Sequence, residues 1–354
     1  MTRRDFVKTA AGAAAVSVMP SVLRAADGSE VGKMKPTEFM WAGLFHFGSH
    51  MWNDAKENDP LELDYEEWTR ITDRMAAVGM NAIVVDVGEG VVWPSHPELA
   101  VEGSWPVEKF RAELARMRAL GLEVIPKVNF STTHDAWLKD YGRMVSTPDY
   151  YRVCADIVRD TAEIFDRPRL IHLGYDEEAA HHQRNYSYAV IRQGELWWHD
   201  FLWFVKETEK TGARPWIWSD YMWNHEKEFL SRMPKSVLQS NWYYGKTFDV
   251  DECARLTKKN PKDWSHGVSF IRAYETLEKA GFDQVPTSSN YCHDENILET
   301  VRFCAAKLDN PRLKGVMVAP WFMTTRKNRE KNAFAVEETG CSIAWAKAHG
   351  RNWR

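Results

Sequence analysis

The chain has 354 residues, 44% of them hydrophobic, which is enough to bury a sizeable core and excludes a disordered chain. Its 50 acidic and 46 basic side chains leave a formal net charge of -4, and no basic run stands out, which argues against a nucleic-acid partner. Tryptophan is abundant at 17 residues, and surplus indole rings either fill cores or line pockets for ring-shaped ligands.

The N-terminal stretch MTRRDFVKTAAGAAAVSVMPSVLRAADG resembles a twin-arginine export signal. Arg3 and Arg4 precede Phe6 and Lys8, an Ala-rich weakly apolar segment follows, and small residues at Ala25 and Ala26 offer a cleavage point. Residues 1–26 are therefore expected to be a signal peptide and residues 27–354 the mature domain, exported to the periplasm of a bacterium or secreted. No later apolar run is long enough to span a membrane, so no anchor is expected after signal removal. The five cysteines, Cys154, Cys253, Cys292, Cys304 and Cys341, show no Cys-x-x-Cys spacing and read as small buried hydrophobes.

From Phe39 onward, short apolar runs alternate with longer helical patterns. Strands are predicted at FMWAGLFHFG from Phe39, NAIVVDVG from Asn81, EVIPKVNF from Glu123 and LIHLGYD from Leu170. Four more follow at PWIWSDY from Pro215, SVLQSNWYYG from Ser236, QVPTSSNY from Gln284 and KGVMVAPWF from Lys314. The helices between them carry the expected punctuation: Asp64 or Ser146 near an N-cap, Pro106 and Pro148 in a first turn, Gly79 and Gly121 at a left-handed C-terminal position. Parallel strands need helical crossovers, and eight such units close into an α/β, single-domain (β/α)8 TIM barrel. An open doubly wound sheet is the alternative, and the lack of G-x-G-x-x-G after the first strand speaks against its dinucleotide-binding version.

A barrel of this kind carries its site at the C-terminal ends of the strands. Polar and aromatic residues gather there: His46 and His50, Asp86 and Glu89, Asn129 and His134, then Asp176, Glu177 and Glu178. Asp220 and Trp223 follow the fifth strand, Asn241, Trp242, Tyr243 and Tyr244 the sixth, and Asn290, Tyr291, His293 and Trp321 the last two.

The stretch HLGYDEE, from His172, resembles the His-x-Gly-Gly-Asp-Glu signature of glycoside hydrolase family 20, the retaining β-hexosaminidases, in which the Asp-Glu pair closes the fourth barrel strand. That resemblance implies substrate-assisted hydrolysis, in which the sugar's own 2-acetamido group attacks the anomeric carbon. Glu177 would then be the general acid and later base, and Asp176 would orient and polarise the acetamido nitrogen. Two adjacent carboxylates in a partly dry pocket titrate as a pair, so one keeps a proton to donate while the other stays anionic. The family's tryptophan pocket and tyrosine hydroxyl would correspond to Trp218, Trp223, Trp242 and Trp321 with Tyr243 or Tyr244. Asp220 and Asn241 are candidates for ring hydroxyls, and His46, Glu89, Asn129 and His134 for further substrate contacts. His172 reads either as a buried orienting histidine or as a contact to substrate.

Three departures point to a different sugar specificity. Tyr175 replaces the second glycine and is expected to narrow the approach to Asp176, the first strand offers HFGSHMWND in place of the family's Arg and Asp, and PWFMTTRKN lacks its Trp-x-Glu. Other readings stay open: a retaining glycosidase whose nucleophile is Asp220 or Glu89, a sugar isomerase using a metal held among Glu89, His96, His134, Asp176, Asp220 and His293, or a carbohydrate-binding protein on the same barrel. The leading expectation is an exported, exo-acting glycoside hydrolase with a glycan substrate, no cofactor and no metal. The sequence does not set its oligomeric state.

Overall fold

The computed structural model describes residues 39–50, 59–183, 188–308, 311–351 and 353. The signal segment 1–26, and residues 27–38 of the expected mature domain, lie outside the described residues. Eight parallel strands form the barrel: β1 Met40–His46, β2 Ala82–Asp86, β3 Glu123–Lys127, β4 Leu170–His172, β5 Arg214–Trp218, β6 Leu238–Ser240, β7 Thr287–Ser288 and β8 Gly315–Val318. The ladder runs β6-β5-β4-β3-β2-β1-β8-β7, and single bridges between Gln239 and Gln284 and between Trp242 and Thr287 bring β6 against β7. This is the TIM barrel expected from the alternating pattern.

Helices follow the strands in turn: α1 Tyr65–Ala77, α2 Val107–Ala119, α3 Pro148–Ile164, α4 Glu195–Lys210 and α5 Tyr221–Arg232. After β6 come two, α6 Val250–Lys259 and α7 Val268–Lys279, and then α8 Asn296–Lys307 and α9 Arg329–Ala348. Local chemistry sets their ends. Asp64 caps α1 by accepting from the Glu66 and Glu67 amides, and Gly79 takes the left-handed φ of +90° that turns the chain towards β2. On α1 the buried Trp68, Ile71 and Met75 recur at helical spacing and form the face laid on the barrel.

Two helix starts lie one residue away from the residues read as marking them. Thr147, and not Ser146, caps α3, because Ser146 is left-handed at φ +64° and donates its hydroxyl to Asp200 at 2.6 Å. Pro106 occupies the N-cap position of α2 and not its first turn. Of the five cysteines, Cys154, Cys253 and Cys304 are buried as expected, whereas Cys292 is half-buried and Cys341 exposed.

Strand alternation divides the apolar residues into two layers. Trp41, Phe45, Ile83, Val85, Val124, Ile171 and Ile217 face the helices. Met40, Ala42, Leu44, Ala82, Val84, Ile125, Leu170, Trp216 and Trp218 fill the barrel. The register carries this inner row to the rim. His46 pairs with Asp86, Asp86 with Lys127, Lys127 with His172 and His172 with Trp216, so four polar side chains stand side by side at the strand ends. No helix among the described residues is long and apolar enough to cross a membrane.

Candidate active site

The polar row is the floor of the candidate site. Lys127 and Asp86 are fully buried and 2.7 Å apart, and His46 Nδ1 lies 3.2 Å from the same Asp86 oxygen. Burial alone raises a carboxyl group, yet the Lys127 charge and the hydrogen bond to His46 hold Asp86 down at about 2. His172 beside them is wedged between Trp216 and Trp218, with ring centroids 4.9 and 4.5 Å away, and its Nδ1 accepts from the Gly174 amide at 3.0 Å. Burial, then Lys127, keeps its imidazole well below the usual range, so it is neutral and acts as the support for the turn that follows.

That turn is what raises Asp176 and Glu177 above the floor. Gly174 is left-handed at φ +70°, and a Cβ there would stand 2.0 Å from Asn129 Oδ1, so only glycine fits. Tyr175 and Glu177 are left-handed as well, at +72° and +56°, a concentration of backbone strain of the kind found at functional sites. The expected narrowing by Tyr175 does not occur. The left-handed backbone sends its ring away from the rim into the helix layer, against Trp197, Phe201 and Phe204, with the Arg192 guanidinium 4.3 Å from the ring centre.

The three successive carboxylates point to three different partners. Asp176 is buried, with Asn129 Nδ2 donating to its Oδ1 at 3.3 Å and His134 Nε2 3.4 Å from its Oδ2. Glu177 is partly open; its Oε2 lies 3.2 Å from the same His134 nitrogen and 3.6 Å from His182 Nδ1, while its amide donates to Asp220 Oδ2 at 2.9 Å. Glu178 turns inward. It is held by Arg192 through Nε at 3.1 Å and through Nη2, and accepts from the Thr132 amide at 3.1 Å; Arg192 also lies 3.6 Å from the buried Asp200.

Breaking this buried pair leaves an uncompensated charge, so Arg192→Met is expected to cost about 3–5 kcal/mol of folding stability. Urea denaturation reads the loss directly, and a change below about 1 kcal/mol would contradict the buried pairing.

Electrostatics separate the rim groups. Burial lowers an imidazole, but the Asp176 charge and the Glu177 hydrogen bond outweigh it and raise His134 to about 9. Burial likewise raises Glu177, and His134 reverses it, leaving Glu177 below its ordinary value. Asp176 remains raised by burial and by Glu177, with His134 and Lys127 opposing; Asp220 is raised well above its ordinary value by burial and by Asp176. In the free site, then, Glu177 is a carboxylate against the His134 imidazolium, and Asp176 is shifted the opposite way, towards its protonated form. The proton expected on one member of the adjacent carboxylate pair is held instead by the His134 ring, 43 positions earlier in the chain than Glu177.

The wall is aromatic. Trp242 and Tyr244 stack 5.0 Å apart, Trp321 Nε1 donates to the Tyr244 hydroxyl at 2.8 Å, and Trp218 lies 5.6 Å from Trp321, whose other neighbour is His46 at 5.9 Å. Trp223 and Asn241 form a backing layer: Trp223 Nε1 donates to Asn241 Oδ1 at 2.8 Å and its ring meets Trp242 edge-on at 4.3 Å.

Two candidates stand elsewhere. Tyr243 points the opposite way from Tyr244, its hydroxyl donating to the Thr247 carbonyl at 2.6 Å. The Glu89 carboxylate is taken up by the β1 loop, accepting from the Ser49 amide at 2.5 Å, the Ser49 hydroxyl at 2.9 Å and the His50 amide at 3.2 Å. Lys127 was missed in the sequence, although a lone lysine inside the buried run EVIPKV signals a charge that needs a partner.

Donor atoms of His134, Asp176 and Glu177 lie within 4.8 Å of one another, close enough to hold a proton network or a cation; a second such group is Asp263, His266 and His293.

No family model matches the sequence, and no curated protein does. Solved structures do match. A β-N-acetylhexosaminidase from Bacteroides fragilis is 13% identical at a TM-score of 0.55, the match covering 85% of this chain and 65% of that one. A family 20 exo-β-N-acetylglucosaminidase from Vibrio harveyi, in complex with N-acetylglucosamine, is 14% identical at a TM-score of 0.57, over 89% and 57%. A mutant Streptomyces plicatus β-hexosaminidase in complex with its product N-acetylglucosamine is 12% identical at 0.55, over 90% and 70%. This chain therefore spans 65% and 57% of the length of the first two. At such identities the likeness shows the fold alone, the eight-stranded (β/α)8 barrel.

Proposed function

We propose that the chain is an exported glycoside hydrolase, a retaining exo-acting β-N-acetylhexosaminidase-like enzyme that removes a sugar from the non-reducing end of a glycan by substrate assistance. The observation that carries this reading is the Asp176–Glu177–His134 cluster at the end of β4, at the same barrel rim as the aromatic cluster of Trp218, Trp242, Tyr244 and Trp321 and close enough for both carboxylates to act on Tyr244. Family 20 structures of the same fold, two of them holding N-acetylglucosamine, support it. Export rests on the twin-arginine-like segment at Arg3 and Arg4.

In this mechanism the acetamido carbonyl oxygen of the bound sugar attacks the anomeric carbon, and the bond to the leaving-group oxygen breaks. Glu177 delivers the proton that oxygen needs, drawn across the 3.2 Å hydrogen bond from His134. Asp176 accepts the acetamido N–H and stabilises the positive charge of the cyclised ring; its raised basicity strengthens that bond as charge develops. Water then attacks the anomeric carbon from the vacated side and gives its proton to Glu177, restoring the 2-acetamido group with retained configuration. Asn129 and Asp220 hold Asp176 and the Glu177 backbone in place. Asp220 suits the alternative role of nucleophile poorly, because burial and the neighbouring Asp176 disfavour its ionised form, and Glu89 is committed to its loop.

The test is release of 4-nitrophenol from N-acetyl-β-glucosaminide and N-acetyl-β-galactosaminide beside the plain glucoside and galactoside. Preference for the acetamido pair is the expected result, and turnover of the 2-hydroxy pair alone would refute substrate assistance.

His134 also sets an expected pH profile. Its folded value of about 9 lies above the ordinary 6.5, so its ion-pair contribution is complete below pH 6.5 and disappears as the pH rises through about 9. The alkaline limb of kcat/KM is expected near pH 9 and should move to lower pH in His134→Gln. An unmoved limb would remove His134 from the proton path.

A further inference from the structure

Away from Asp176 and Glu177, the segment after β6 and the loop after β7 bring three metal-binding side chains together. Asp263 precedes and His266 ends the short helix Trp264–His266 between α6 and α7, and His293 lies in the loop after β7. One donor atom from each lies within 4.8 Å of the others, and the two imidazole rings are 5.1 Å apart. We propose that Asp263, His266 and His293 bind one divalent first-row transition ion, of which Zn2+ is the best match, and that this ion fastens the β7 loop to the segment carrying Trp264.

The chemistry of the donors selects the ion. Two imidazole nitrogens and one carboxylate oxygen suit zinc and its neighbours, whereas calcium and magnesium call for an all-oxygen shell. Zinc bonds of about 2.0–2.1 Å place tetrahedral ligands roughly 3.3 Å apart, so the group closes by small side-chain rotations. Asp263 Oδ2 and His266 Nδ1 already stand 3.2 Å apart.

The surroundings hold the donors ready. Asp263 Oδ1 accepts from the Ser265 amide at 3.0 Å and its hydroxyl at 2.5 Å, leaving Oδ2 to face His266. The Ser265 hydroxyl lies 3.0 Å from His266 Nδ1 and 3.3 Å from His293 Nε2, so it bridges the two rings where no ion is bound. His266 is 2% exposed, its backbone carbonyl accepts from Cys253 Sγ at 2.8 Å and from Thr257 Oγ1 at 2.7 Å, and Nδ1 is the ring atom turned to Asp263.

The position gives the ion a purpose. Trp264, between the two α6–α7 ligands, packs edge-on against Trp242 at 6.1 Å and Tyr244 at 6.2 Å, two members of the aromatic wall. His293 follows Tyr291 in the loop whose other aromatic neighbour is Phe322. An ion here ties both segments to the mouth of the barrel. Asp263 and His266 come from one segment and His293 from another, so the sequence alone does not bring the three together.

The experiment reads metal and not turnover, so it is independent of the hydrolase assignment. Tag-free full-length protein is stripped with chelator and titrated with ZnCl2 by calorimetry, with thermal unfolding followed in parallel. One zinc per chain lost in His293→Ala is the expected result, together with a Tm increase on zinc addition that the variant lacks. Removing an outer support of a metal site typically costs 10–100-fold, so loss of this ligand should weaken binding by more than about 100-fold. Asp263→Asn, which keeps the Ser265 contacts available, should weaken it similarly, and His134→Gln should leave this site unchanged. Calcium should give no saturable heat. Absence of zinc uptake up to about 100 μM, or uptake that survives in His293→Ala and vanishes in His134→Gln, would overturn the proposal.

Discussion

Glu177→Gln is expected to lower kcat on N-acetylhexosaminides by about 10²–10⁴-fold while leaving the fold intact, the range assigned to a positioned general acid–base. The side chain is 29% exposed and its charge partners are His134 and His182, so an isosteric amide disturbs little packing. Loss of the proton path has a further signature. An aryl leaving group that departs without protonation needs no acid in the first step, so the deficit should shrink with 2,4-dinitrophenyl glycosides and grow with alkyl or sugar leaving groups. Kinetics across a leaving-group series make the comparison. An equal deficit on every leaving group would assign Glu177 a structural role instead.

Asp176→Asn is expected to cost about 10²–10³-fold in kcat on acetamido substrates, the scale for loss of one preorganised electrostatic contact at a developing charge. KM should change far less, because the interaction strengthens as charge appears on the acetamido nitrogen. The same variant is expected to be at least as stable as the parent at neutral pH. Asp176 is raised in the folded state, by burial first and by Glu177 second, so its ionised form is already disfavoured there and a neutral amide removes that penalty. Full kinetics and a thermal melt decide both points; a large rise in KM with unchanged kcat would reduce Asp176 to a binding contact.

Much of this arrangement is legible from local pattern. The eight apolar runs lie where the strands form, because each is short, bounded by turn residues and buried on both faces. Asp64, Pro148 and Gly79 act as read, since caps and left-handed glycines depend on neighbours within a few residues.

What escaped depends on where a backbone turn aims a side chain. Tyr175 enters the core because its φ is positive, Glu178 joins Arg192, and Glu89 closes the β1 loop, three outcomes that residue type alone does not distinguish. Tyr243 and Tyr244 are adjacent, yet strand alternation sends one into the loop core and the other into the barrel mouth. His134 changes the proton bookkeeping of the Asp-Glu pair through a contact between the ends of β3 and β4, which only the register reveals.

The measurement that tests the central claim most directly is kcat/KM for a series of aryl β-glucosaminides whose 2-acetyl group carries zero, one, two or three fluorines. If the substrate's own carbonyl oxygen is the nucleophile, each fluorine weakens it, and the rate should fall steeply, by at least about tenfold across the series, which is about 1.4 kcal/mol of barrier. A flat series, or turnover restricted to 2-hydroxy sugars, would contradict substrate assistance at Asp176 and Glu177.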